Sequence, residues 1–205
     1  MMKTNYQIIL DNTLAEIRKS GKTPSLVLHS CCGPCSSYVL EYLTEYFDIT
    51  VFYYNPNIYP EEEYYKRAAT QKQLIDAMPF KNKVELIVPE LDASEYYSAV
   101  KGLEKEREGG LRCSACFDLR LSKTAEKAKK LGADYFCTTL TVSPHKNSQI
   151  INAIAGTVSE KTGVPYLFSD FKKKEGYKRS IELSKQYGLY RQDWCGCIFA
   201  KEYEV

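Results

Sequence analysis

Short apolar runs alternate with amphipathic stretches along almost the whole chain. Ser25-Leu26-Val27-Leu28-His29, bounded by Pro24 and a cysteine loop, predicts a buried strand. Val39, Leu40, Leu43, Tyr46 and Phe47 then recur at helical spacing, and Ile49 to Tyr54 reads as a second strand broken by Asn55-Pro56-Asn57. Glu61 to Met78 reads as a helix, and Val84 to Val88 as a third strand that stops before Pro89. Cys116 opens a predicted helix with Phe117, Leu121, Ala125 and Ala128 on its apolar face, closed by Gly132 in a left-handed cap. Ala133 to Leu140 follows as a fourth strand, Ser148 to Lys161 as a helix, Val164 to Phe168 as a fifth strand, and Tyr177 to Tyr187 as a last helix closed by Gly188.

That alternation predicts an α/β fold, a mostly parallel sheet with helices on both faces. A length of 205 residues suits a single α/β domain, 1–205. A composition of 44% hydrophobic and 26% charged residues is that of a folded chain and not a disordered one. Asp11, Glu16, Arg18 and Lys19 follow Met1-Met2 too closely for a secretory leader, and no apolar run approaches the roughly 20 residues that span a bilayer. The expectation is a cytoplasmic protein with no membrane partner. Residues 1–110 hold 12 Lys+Arg against 16 Asp+Glu, whereas residues 111–205 hold 16 against 10. A basic second half, with Lys172-Lys173-Lys174 and Lys178-Arg179, suits a polyanion such as RNA, although a solvated lysine face has the same signature.

Cysteine usage changes the picture most. Seven of eight cysteines fall in three clusters, Cys31-Cys32-Gly33-Pro34-Cys35, Cys113-Ser114-Ala115-Cys116 and Cys195-Gly196-Cys197. In a reducing compartment such clusters mean metal or redox chemistry. The first two groups offer five thiolates, one more than a closed zinc site needs. In Cys195-Gly196-Cys197 a disulfide would close a small strained ring, which suits a two-electron switch, with two further metal ligands as the alternative. Cys137, inside an apolar strand, reads as core, and Asp118 as a hard metal ligand, a proton donor or a charge placed for the helix dipole.

In open α/β sheets ligands bind beyond the carboxyl ends of the strands where strand order reverses. If the fourth strand lies beside the first, Thr138 to Lys146 lines the crevice that receives the first cysteines, and His145 lies in it. Tyr53, Tyr54, Asn55, Asn57, Tyr59 and Trp194 are candidates for stacking or pairing with nucleobases, and Lys101 to Gly110 is a candidate mobile loop.

The ordered set of Cys31 to Cys35, Tyr54 to Pro60, Arg112 to Cys116, Thr138 to Lys146 and Tyr190 to Cys197 resembles the QueH-type epoxyqueuosine reductases over nearly the whole chain. The resemblance implies an adenine-nucleotide alpha-hydrolase-like (HUP-like) fold and reduction of epoxyqueuosine in tRNA to queuosine. By motif, Cys31, Cys32, Cys113 and Cys116 would hold a 4Fe-4S cluster, and Cys195 with Cys197 would form a redox-active disulfide reset by an external electron donor. Cys35 and Asp118 are then the candidates for an additional mononuclear iron, with Asp118 also a catalytic candidate. Two rivals remain: an ATP-dependent tRNA sulfur-transfer enzyme, disfavoured because Pro34 removes an amide from the phosphate-cradle loop, and a zinc-stabilised RNA-binding module.

Overall fold

The computed structural model describes residues 3–202; Met1, Met2 and residues 203–205, which the single-domain reading includes, lie outside the described residues. Four strands, β1 (Ser25–His29), β2 (Asp48–Phe52), β3 (Val84–Ile87) and β4 (Tyr135–Thr138), form one parallel sheet in the order β3-β2-β1-β4. Strand order reverses between β1 and β4, so the predicted crevice exists at their carboxyl ends.

Helices α1 (Tyr6–Ser20), α2 (Gly33–Leu43), α3 (Glu61–Ala77) and α7 (Gly176–Gln186) cover one face, where Leu26, Leu28, Ile49 and Val51 join Leu14, Leu40, Leu74 and Leu183 in one core. On the other face Val27, Phe52 and Phe136 pack against Leu121, Ala125, Ile151 and Ala155 of α5 (Leu111–Leu131) and α6 (Ser148–Thr162). Successive residues of β1 thus serve opposite layers, the two-residue period of a sheet buried on both sides. Three short helices complete the described chain, α4 (Ala93–Ala99), α8 (Ile198–Glu202) and a 3-10 turn, Thr139–Val142, that ends the predicted fourth strand at Thr138, two residues before Leu140; none is evident in the sequence pattern.

Two sequence expectations need correction. Helix α5 begins at Leu111, five residues before Cys116, so Cys113 and Cys116 both lie on its opening turns. Val164 to Phe168 makes only an isolated bridge, Phe136 to Tyr166, because Pro165 has no amide to extend a ladder. The segment Lys101 to Gly110 is a series of turns, tied down where Arg112 Nη1 donates to the Glu104 carbonyl at 2.6 Å. Among the described residues no helix is long and apolar enough to cross a membrane.

Candidate functional site

Strand β1 ends at His29 and delivers Cys31 and Cys32 to the crevice, where Cys32 caps α2 and Pro34 occupies its first turn. His29 is fully buried, and burial is the main reason its imidazole is pushed down to about 3, leaving it neutral. The Tyr54 carbonyl, 3.1 Å from Nε2, can only accept, so Nε2 carries the proton and Nδ1 accepts from the Thr138 hydroxyl at 2.9 Å. His29 therefore ties β1 to β4 and to the loop after β2; it is a brace and not a metal ligand. At Gly33 a Cβ would come within 2.9 Å of the Thr70 carbonyl, so glycine there lets α2 and its cysteines sit tightly on α3.

The sulfurs of Cys31, Cys32 and Cys35 lie within 4.8 Å of one another, with Cys31 Sγ 3.8 Å from Cys32 Sγ. Hydrogen bonds from the Cys32 and Cys35 thiols hold Cys31 well below the usual thiol range, and both donors are pushed up in return, Cys32 to about 12. The three sulfurs are thus tied into one mutually interacting group. A soft cation that displaces the protons would recruit all three, so the donor set fits an iron–sulfur site.

A second group gathers on α5 and near the C-terminus. Cys113, Cys116, Cys195 and Cys197 line a cavity of about 70 Å³ together with Tyr96, Arg112 and Arg120. Burial pushes the Cys116 thiol up to about 12 and raises Cys113, whose sulfur accepts from the Gly109 amide at 3.2 Å. Beside it opens a cleft of about 670 Å³ lined by Cys31, Cys35, Arg67, Lys146, Trp194 and Cys195, among others. Cys195 borders both spaces, as do Arg120, His145 and Lys146. The structure thus brings Cys31, Cys32 and Cys35 into one tight group and sets Cys113 and Cys116 with Cys195 and Cys197 in the adjoining one.

Two cations sit where these groups meet. Arg120 follows Cys113 and Cys116 on one face of α5, at i+7 and i+4, and is buried. Burial alone would weaken its charge, but attraction to the surrounding sulfurs, Cys116 first and then Cys31, Cys195 and Cys113, outweighs that and the net shift is upward. Lys146, half-buried in the cleft, behaves alike: desolvation is overcome by Cys195, Cys31 and Cys35. The Cys113, Cys116, Arg120 spacing could have flagged Arg120 in the sequence. Asp118 falls two residues after Cys116, about 200° around the helix; it is exposed and lines neither cavity, so its placement gives no support to a ligand or proton-donor role.

The third cluster is held from outside. Arg67, 2% exposed, donates from Nη1 to the Cys195 carbonyl at 3.1 Å and from Nη2 to the Trp194 carbonyl at 3.3 Å, and its guanidinium lies 5.4 Å from the Trp194 ring centroid. Its Nε donates to Glu63 at 2.6 Å, and Glu63 also accepts from the Tyr190 hydroxyl. Ile58 pairs with Cys197 as an isolated antiparallel bridge, and the Tyr59 amide donates to the Gly196 carbonyl at 2.8 Å. No local pattern announces Arg67, which lies far from its partners in sequence. Tyr53, Tyr54, Asn55 and Asn57 are buried and line neither cavity; Asn55 Nδ2 donates to the Ser30 carbonyl and its Oδ1 accepts from Arg120. They brace the site instead of offering faces to a base. Of the segment Thr138 to Lys146, only Ser143, His145 and Lys146 line the cleft; Thr138 to Val142 is buried. Cys137 is core, as expected.

A family model described as epoxyqueuosine reductase QueH matches residues 26–203. Proteins named epoxyqueuosine reductase QueH are similar over most of the chain: that of Streptococcus pyogenes serotype M1 is 46% identical across 97% of this chain and 78% of its own length. The Thermotoga maritima protein is 37% identical across 86% and 90%. Among solved structures, the U34-tRNA thiolase NcsA from Methanococcus maripaludis with its [4Fe-4S] cluster aligns at a TM-score of 0.51 and 13% identity, covering 94% of this chain and 70% of that one. At that identity the likeness concerns the fold, which is HUP-like as expected.

Proposed function

Because the chain belongs to the epoxyqueuosine reductase QueH family, we propose that it reduces epoxyqueuosine in tRNA to queuosine, using a 4Fe-4S cluster and the Cys195–Cys197 dithiol. The observation that carries this reading is the meeting of three distant cysteine clusters across a cleft and the smaller cavity beside it, with Cys195 bordering both the Cys31 and the Cys113 groups. By family motif Cys31, Cys32, Cys113 and Cys116 would hold the cluster, within one α/β domain, and Cys35, packed against Cys31 and Cys32, is the candidate for an additional mononuclear iron. When bound, a 4Fe-4S cluster supplies one-electron transfer at a potential set by its thiolates and their hydrogen bonds.

The remaining chemistry belongs to the chain. Loss of the epoxide oxygen as water consumes two electrons and two protons. Two thiols supply both: epoxide and dithiol give alkene, water and disulfide. Arg120 and Lys146 border the space where charge develops on the departing oxygen and can stabilise it. A cleft of about 670 Å³ accommodates a nucleoside, and Trp194, Tyr177 and Arg191 offer it aromatic and cationic surface. An external electron donor must re-reduce the disulfide, and the cytoplasm is the compartment that keeps the other thiols reduced.

The test is anaerobic incubation of the iron–sulfur-reconstituted protein with epoxyqueuosine-containing tRNA and dithionite, followed by nucleoside mass spectrometry. The expected product lacks one oxygen. An unchanged nucleoside, or a colourless zinc protein indifferent to Cys195→Ser, refutes the reading in favour of an RNA-binding module.

A further inference from the structure

The two sulfurs of the Cys195-Gly196-Cys197 segment stand in unlike surroundings. Cys195 is half-buried and borders both the cleft and the smaller cavity, whereas Cys197 lines only the smaller one and is 6% exposed. Cys197 belongs to an apolar cluster with Tyr96, Val100, Cys116 and Ala200, which walls it from approach. The Tyr96 hydroxyl lies 2.9 Å from the Cys197 sulfur. Either atom can donate while the sulfur is a thiol; once it is a thiolate only the phenol has a proton to give. The backbone fixes this asymmetry, because Arg67 holds the Cys195 carbonyl and Ile58 pairs with Cys197.

We propose that the disulfide works in one direction: a dithiol reductant attacks Cys195, and Cys197 departs as a thiolate received by a hydrogen bond from Tyr96. This rests on the reading of Cys195 and Cys197 as a redox dithiol. The steps balance. The reductant's thiolate forms a bond to Cys195 Sγ as the Cys195–Cys197 bond breaks and Cys197 Sγ takes the electron pair. The reductant's second thiolate then displaces Cys195 Sγ, the reductant leaves as its own disulfide, and two protons return the enzyme to the dithiol. Thiol–disulfide exchange depends on access to the attacked sulfur and on how well the leaving sulfur bears charge, and here the two requirements fall on different residues. The Tyr96 ring packs in tilted contacts with Tyr97 and Phe199, centroids 5.8 Å and 6.4 Å away, so Tyr96→Phe removes the hydroxyl and keeps the ring.

The experiment uses the reconstituted holoenzyme. Peptide mapping after mild oxidation is done first; absence of a Cys195–Cys197 disulfide there defeats the redox-dithiol reading itself. With the disulfide present, Cys197→Ser should be trapped at Cys195 by glutathione disulfide at least about tenfold faster than Cys195→Ser is trapped at Cys197, sites being assigned by mass spectrometry. Tyr96→Phe should slow reduction of the disulfide by dithiothreitol about tenfold, the loss of one hydrogen bond to a charged group. In the Cys197→Ser background the same Tyr96→Phe change should leave trapping at Cys195 unaltered, since no Cys197 departs there; a general structural disturbance would slow both. Equal trapping rates, or faster trapping at Cys197, overturn the direction. An unchanged reduction rate in Tyr96→Phe overturns the role of Tyr96.

Discussion

Replacing Arg67 by methionine should cost more stability than any exposed charge on the molecule. Arg67 is 2% exposed and its partner Glu63 keeps only 11% of its side-chain surface, so the 2.6 Å pair is buried. Methionine fills much of the same volume but strands the Glu63 carboxylate and leaves the carbonyls of Trp194 and Cys195 without their charged donor. Removing one partner of a buried pair costs about 3–5 kcal/mol. For a chain of this size that corresponds to a fall in Tm of roughly 6–20 °C. Thermal unfolding followed by far-ultraviolet circular dichroism measures it.

A second variant separates the charge from the packing. Arg67→Met with Glu63→Leu removes the stranded carboxylate and should recover about 1–3 kcal/mol. Recovery stays incomplete because the two carbonyls have lost their charged donor and the Tyr190 hydroxyl has lost Glu63 as acceptor. A single-variant loss within about 1 kcal/mol, the range of a solvent-exposed ion pair, would falsify the buried clamp. So would a double variant no more stable than the single one.

His29 should give the protein an acid-side stability slope. Its folded-state value of about 3 lies below the ordinary 6.5, so between those limits the unfolded chain binds a proton that the native one does not. The stabilisation is complete above pH 6.5 and falls as the medium is acidified, by about 1.4 kcal/mol per pH unit. Urea unfolding from pH 7 to pH 4 should show that slope in the parent and lose it in His29→Gln; parallel curves for the two proteins would contradict it. Gly196 adopts φ +96°, and a Cβ there would sit 3.0 Å from Arg67 Nη1 and 3.1 Å from Ile58 Cγ1. Gly196→Ala should cost about 1–3 kcal/mol of backbone strain plus the contact. Gly21→Ala, at φ +66° in open space, carries only the left-handed penalty of about 1–2 kcal/mol; the same urea assay should rank them, and equal losses would sink the close-approach argument.

Strands β1, β2 and β3 were legible because each is a short apolar run closed by Pro, Asn or a cysteine loop, and α3 and α6 because their lengths and polar starts leave little choice. The true start of α5 was hidden for a physical reason. Gly110 caps it without any side-chain hydrogen bond, and its first buried positions are Arg112 and Cys116, which do not read as an apolar stripe. Helix α4 is only seven residues long, and its one signal is the Asp92 side chain accepting from the Ser94 amide.

The candidate site shows the same division between what is local and what is not. Clustering of cysteines is a local property, and the sequence alone marks all seven. Their grouping is not local. It depends on β4 lying beside β1, which brings Lys146 to Cys31 and Cys35, and on the phase of α5, which turns Cys113, Cys116 and Arg120 to one side and Asp118 to solvent. A buried arginine 128 positions before Cys195 in the chain then fixes where the last cluster faces. Chemistry that needs reactive thiols at chosen distances therefore draws on long-range contacts that no spacing rule encodes. The residues supplying those contacts, Arg67 and Tyr96, are where a substitution would change the behaviour of Cys195 and Cys197 without touching a cysteine.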